Sequence, residues 1–390
     1  MARLVGVDLA RALAVFGMYV VHLAPPATDG VGAWVRTLAE GRSSALFATL
    51  AGFSLMLIAG RLEPKTGLAG RQAKARIAIR AVILLALGTV LAIFYGGVVI
   101  LAFYGLYFLL ALPLVRLKAR TLAIVAAVLA VVMPVVSLGV NSLLTESVTS
   151  AVQAYDPLYL ISGVGVLELL FTGFYPAITW MAFVIAGMAL GRLDLSSGTV
   201  LRRLAVFGPA LAVFAYGTSW LLANLIDGVR AAVEGQAAMG PGALGSGGDL
   251  RPPETVRSAW TLLTAGPHSG MMFDVIGCAG VAITVIVCAT VAIDRLPLLR
   301  RLAAPVIAMG TMSLTAYVGH FVLSSVATST AMGEIGSKGG SGSGGEESWL
   351  LVITFILGVT AFAWIWSRFF RRGPLEYVLN SATRLTKYVR

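Results

Sequence analysis

A chain of 390 residues that is 58% hydrophobic and 12% charged, with a mean hydropathy of +0.89, lies outside the composition of soluble globular proteins and reads as a polytopic membrane protein. The net charge of +11 does not indicate a nucleic-acid partner, because the basic residues segregate by membrane side once the apolar runs are drawn. Cys278 and Cys288 share one apolar segment; their spacing suits neither a mutual bridge nor a metal site, which leaves them as packing residues.

Apolar runs predict an all-α fold of about ten transmembrane helices, at 4–24, 43–60, 77–96, 98–115, 121–141, 175–191, 204–226, 272–293, 303–325 and 349–367. With the N-terminus inside, twenty-two basic residues fall in cytoplasmic segments and six in outer ones, so both termini are predicted to be cytoplasmic. The basic N-terminal start resembles a signal peptide, but Asp8 and Arg11 within the apolar run argue against cleavage.

The first span places Asp8, Arg11 and His22 in the membrane, where ionisable groups are costly and face a protein interior or wet cavity. Asp8 and Arg11 lie one turn apart, and His22 returns to nearly the azimuth of Arg11, so one polar stripe runs ~21 Å along one helix face. The plain alternative is an Asp8–Arg11 ion pair with an interfacial histidine that snorkels. At the cytoplasmic end of the third span, Arg71, Lys74, Arg76 and Arg80 form a cluster suited to phosphate, although positive-inside charge explains such a cluster equally well. Residues 142–174 lack Lys and Arg and carry an apolar part too short to span, which predicts a re-entrant or surface-lying pair of helices holding Glu168. Two further outer segments follow, 227–271 and 328–348, the second with a glycine-rich run at 336–348 expected to be mobile.

The three histidines, His22, His268 and His320, all fall on the predicted outer side. Imidazole suits general acid/base work near neutrality, and three together favour a site over three separate interfacial histidines. Metal binding is not expected, since no pair has a ligand spacing. Asp274 and Glu168 are the outer carboxylates available to orient an imidazole. No nucleotide-binding loop or dinucleotide fingerprint supplies energy or redox chemistry.

The pattern Asp8-Leu9-Ala10-Arg11 with His22 beyond it resembles the first span of the acyltransferase-three family. The opening from Val7 to Arg11, the run from Gly41 to Gly52, Pro267-His268-Ser269-Gly270 and Ser313 to His320 resemble the heparan-alpha-glucosaminide N-acetyltransferase-like family. Arg372-Gly373-Pro374-Leu375-Glu376 is similar to the C-terminal motif of YeiB-type bacterial membrane proteins. These likenesses imply a single transmembrane domain over 1–390, with an acetyltransferase-like part at about 1–225 and a YeiB-like part at about 226–390.

What the resemblance implies is an acyltransferase of the bacterial plasma membrane. It would take acetyl-CoA, or another acyl-CoA, on the cytoplasmic side and deliver the acyl group to a sugar or glycolipid outside. The eukaryotic sugar acetyltransferase carries its catalytic histidine in the loop before the second span, whereas here that loop reads Gly30 to Trp34 with none. His22 is then the base, with His268 as oxyanion donor or second base and His320 as a third candidate. Asp8, Arg11, Arg76 and Arg80 would serve the CoA thioester, and Arg42, Ser43, Ser269, Asp274, Tyr317 and Glu168 the acceptor. A route through acyl-histidine stays open, as does a homo-oligomer. A carrier or flippase for an anionic or lipid-linked metabolite would use the same stripe as a path, although no internal repeat supports it.

Overall fold

The computed structural model describes residues 4–25, 30–96, 99–238, 258–338 and 349–389, and all regular structure among the described residues is helical. In chain order the helices are α1 (Val5–Leu23), α2 (Gly30–Ala39), α3 (Arg42–Ala59), α4 (Gly67–Tyr95), α5 (Leu101–Ala111), α6 (Ala119–Leu143), α7 (Glu146–Tyr155), α8 (Pro157–Ser162) and α9 (Ala177–Gly191). They continue as α10 (Gly198–Leu225), α11 (Asp227–Ala238), α12 (Met272–Arg295), α13 (Pro297–Leu302), α14 (Ala304–Gly310), α15 (Ser313–Lys338), α16 (Trp349–Phe369) and α17 (Pro374–Ala382). The protein is therefore an all-α, multi-pass membrane protein.

Among the described residues, seven helical stretches are long and apolar enough to cross a bilayer, and the pair α14 and α15, bent by 85°, makes an eighth if it is one span. The predicted spans at 98–115 and 175–191 correspond to α5 and α9, of 11 and 15 residues. At ~1.5 Å per residue α5 is only ~17 Å long, short of the ~30 Å hydrocarbon core. Both are apolar on every face because protein surrounds them: α9 is buried along nearly its whole length. The segment 142–174 holds the predicted helix pair as α7 and α8. Thr145 caps the first, and Asp156, followed by Pro157, caps the second. Residues 239–257 and, in the glycine-rich run, 339–348 lie outside the described residues.

The chain divides into two compact units. One comprises residues 48–284 with 382–390. In it α4 packs on α5 and α6 on α9, and α3 crosses α9 at Gly52 and Gly187, where a Cβ would fall 1.9 Å from the Val184 carbonyl oxygen or 1.8 Å from that of Thr49. Such close backbone approach is how membrane helices gain packing without a hydrophobic driving force. Arg192, at the end of α9, is 7% exposed and donates to the carbonyls of Gly60, Arg61, Val115 and Leu117, so one guanidinium ties the ends of three chain segments together. Burial pulls its pKa below the usual guanidinium value.

The other unit comprises residues 1–47 with 285–381. Here α1 packs against α14, α15 and α16. Gly310, at the α14–α15 bend, lets the Asp8 carbonyl approach to 1.8 Å from where a Cβ would stand. The Asp8–Arg11 ion pair, which the sequence offered as the plain alternative, forms within α1 at 3.0 Å.

Candidate functional site

Two of the three histidines meet in the unit built from the chain's ends. His22 projects from the last turn of α1 and His320 from the second turn of α15. Their rings lie nearly parallel, 15° apart with centroids at 5.1 Å, and His22 Nδ1 is 2.9 Å from His320 Nε2. His320 Nδ1 faces the Tyr317 carbonyl one helical turn back. That oxygen only accepts, so with neutral rings His320 carries its proton on Nδ1 and its Nε2 accepts from His22 Nδ1–H. The network thus assigns His22 Nε2 an unshared lone pair, the form a general base requires.

Packing fixes the pair. His320 is 1% exposed, Tyr19 0% and Tyr317 1%. Tyr19 lies 5.2 Å from the His320 ring centroid and donates its hydroxyl to the Ala316 carbonyl at 2.8 Å, while Phe321 lies 5.5 Å from the His22 ring. Phe47 stacks on Tyr317 at 6.0 Å. Beside the end of α1, Arg36 Nη1 donates to the Ala24 carbonyl at 2.7 Å, and its buried Nε–H has no acceptor among the described residues. A buried cationic donor left without a partner is costly, so an acceptor oxygen brought by a ligand would be favoured there. Arg42 donates to the Thr37 carbonyl, and Ser43 packs against Gly17 of α1.

The third histidine belongs to the other unit. His268 occupies the tight turn Pro267–Ser269 with φ of 59°, the left-handed region that a non-glycine residue enters only when its surroundings hold it there. Phe174, Tyr175 and Trp180 enclose its ring at centroid distances of 4.7, 5.5 and 6.0 Å. Asp274 Oδ2 accepts from Gly270 N at 3.0 Å and from Ser269 Oγ at 3.4 Å, and Cys278 Sγ donates to Oδ1 at 3.3 Å, so this carboxylate holds the turn that follows His268. Glu168 accepts from the Gln153 side chain at 2.7 Å and from Gly165 N at 2.8 Å, within its own segment. Arg76 donates to Thr386 Oγ1 at 3.2 Å, and Arg80 lies further along the same helix, α4. Among the described residues no group of three His, Cys, Asp or Glu side chains is placed to hold a metal.

Sequence reasoning selected His22, His320 and Tyr317 but not their mutual bonds. It counted Arg36 and Arg192 only as topological charges, and Tyr19 not at all. A polar ring in the same apolar stretch as His22, three residues before it, is the signal that would have found Tyr19.

The fold and the pair together define a polytopic helical membrane protein in which two histidines from distant parts of the chain are hydrogen-bonded to each other. The chain belongs to the family described as heparan-alpha-glucosaminide N-acetyltransferase, catalytic, which matches residues 3–219. A protein family of unknown function, DUF418, matches residues 253–386. No curated protein matches the chain. His22 therefore lies in the first match and His320 in the second, and the pair joins them.

Proposed function

We propose that the protein is an acyltransferase of the bacterial plasma membrane that passes an acyl group, acetyl in the simplest case, from cytoplasmic acyl-CoA to a hydroxyl or amine of an extracytoplasmic sugar or glycolipid. The observation that carries this reading is the His22–His320–Tyr317 chain, in a protein whose family is defined by an acetyltransferase catalytic region. His22 Nε2 removes the proton of the acceptor O–H or N–H as that atom attacks the thioester carbonyl. The C–S bond then breaks, and His22 returns the proton to the departing CoA thiolate, so each turnover consumes acyl-S-CoA and acceptor and yields acylated acceptor and free CoA. His320 holds His22 in the productive tautomer, the part of the third group in a nucleophile–base–orienter chain. Arg36 Nε–H is the donor for the oxygen that gains negative charge in the transition state.

In the unit of the histidine pair, Arg42, Ser43 and Tyr317 are the proposed acceptor contacts; in the other unit, and separately, His268 is a candidate second donor or base with Ser269, Asp274 and Glu168 as candidate contacts. For the donor's phosphates the candidates are Arg11, ion-paired with Asp8, and, separately, Arg76 and Arg80.

The test is incubation of the purified protein, in lipid nanodiscs, with labelled acetyl-CoA and a panel of amino sugars and glycolipids. Release of free CoA together with labelled acceptor is expected, as is thermal stabilisation by acetyl-CoA. If acetyl-CoA neither binds nor is consumed, while reconstituted vesicles take up an anionic metabolite, the protein is a carrier.

A further inference from the structure

The motif Arg372-Gly373-Pro374-Leu375-Glu376 has no part in the chemistry above, yet it is bonded to the helix that bears His320. α15 begins abruptly after the 85° bend, and the first N–H groups of a helix have no partner within it. Ordinarily a polar residue just before the helix supplies one, but Met312 occupies that position and has nothing to offer. The acceptor arrives from 61 residues downstream. Glu376 Oε1 accepts from Leu314 N at 2.8 Å and Thr315 N at 3.1 Å, and its Oε2 accepts from Thr315 Oγ1 at 2.5 Å. Thr315 Oγ1 accepts in turn from Leu375 N at 3.1 Å, so the two segments are bonded in both directions.

The rest of the motif serves this contact. A Cβ on Gly373 would stand 2.2 Å from Glu376 Oε2 and 2.9 Å from both Met312 Cβ and Thr315 Oγ1, leaving no room for any side chain. The Arg372 carbonyl accepts from Trp366 Nε1 of α16 at 2.9 Å, which fixes the motif's approach. A carboxylate at a helix N-terminus also meets the positive end of the helix dipole.

Tyr317 and His320 follow Thr315 by two and five residues, ~3 and ~8 Å along the axis. A tilt of the first turn of α15 therefore shifts both the carbonyl that sets the His320 tautomer and the nitrogen that receives the His22 proton. We propose that Glu376 is a positioning residue: acting through Thr315, it sets the angle at which α15 presents His320 to His22. The motif at 372–376, which lies with His320 inside the segment matched by the family of unknown function, is on this view the brace of the histidine pair. Only the activity arm of the test below rests on the acyltransferase reading.

The experiment uses the full chain labelled with ¹⁵N-histidine, whose spectrum holds three imidazoles assignable by single substitution. In the wild type, His22 should show a protonated Nδ1 hydrogen-bonded to an unprotonated His320 Nε2. Glu376→Ala and Thr315→Val should abolish that pairing while leaving the His268 resonances in place, and Glu376→Gln, which can still accept from both amides, should restore it. Acyl transfer should fall ~10- to 100-fold in Glu376→Ala, as for a misplacement of about 1 Å, with the KM for acetyl-CoA unchanged. Wild-type His22 and His320 resonances in folded Glu376→Ala or Thr315→Val would overturn the proposal, as would equal disturbance of all three histidines. Loss of the pairing in a protein whose wild type transfers nothing would uphold the brace and remove the acyltransferase reading.

Discussion

His22 and His268 are both histidines near the ends of apolar segments, and they are held in opposite ways. His22 is fixed through its nitrogens: one is bonded to His320, whose own proton is committed to the Tyr317 carbonyl. His268 is fixed through its backbone and its faces, by a left-handed turn and three aromatic rings. Hydrogen bonding selects a tautomer and so prepares a ring for proton transfer. Aromatic enclosure selects an orientation of the ring plane. The proposed base has the first arrangement.

That contrast is most exposed to His22→Gln, which keeps a polar side chain without an imidazole. Removing a general base typically costs ~10²–10⁴ in rate, and acetyl-CoA binding, followed by calorimetry, should stay within twofold of wild type. If His22→Gln transfers acetyl normally and His268→Gln does not, the assignment reverses.

In the unit that holds His268, stability should depend on Arg192 more than on the histidine. Arg192→Ala leaves several buried carbonyls without a donor, and the expected loss is roughly 2–4 kcal/mol, since hydrogen bonds to a charged group contribute ~1.5–3 kcal/mol each and are not additive. Reversible unfolding in mixed micelles measures it. Arg192→Lys should recover only a fraction, because an ammonium cannot reproduce the planar fork.

His320→Ala should lower transfer by roughly ten- to a hundredfold without altering acetyl-CoA affinity, the effect of letting His22 rotate rather than of deleting it. A loss as large as that of His22→Gln would make His320 a proton carrier in its own right.

The smallest effect concerns the turn at His268. Glycine adopts its backbone angles without strain, and an L-residue there costs roughly 1–2 kcal/mol, so His268→Gly should be about 1 kcal/mol more stable than His268→Ala. Equal stability would mean that the turn relaxes once the ring is gone, and that the aromatic enclosure alone had imposed it.

Much of this was legible in the sequence because a bilayer imposes simple rules. Hydropathy located the apolar helices among the described residues, and the cost of ionisable groups in lipid singled out Asp8, Arg11 and His22. Lengths were less legible: α5 and α9 read as spans because protein burial and lipid burial select the same residues. The site was legible only as candidates. Neither periodicity nor spacing relates His22 to His320 or Thr315 to Glu376, since these contacts are set by tertiary packing. Arg192 was hidden by the positive-inside rule, which accounts for any cytoplasmic arginine near a helix end and so says nothing about one that binds carbonyls, and Arg36 stood only as one of the six outer charges.

The histidine pair also has a history in time. Its members are 298 residues apart in the chain, so at synthesis rates of ~5–20 residues per second His22 exists for roughly 15–60 s before His320 is made. Throughout that interval α1 carries Asp8, Arg11 and His22 without the helices that later bury them. The Asp8–Arg11 bond, local to one turn, can form at once, whereas the His22–His320 bond cannot form until His320 has been delivered. Completion of the pair therefore waits until synthesis has passed His320.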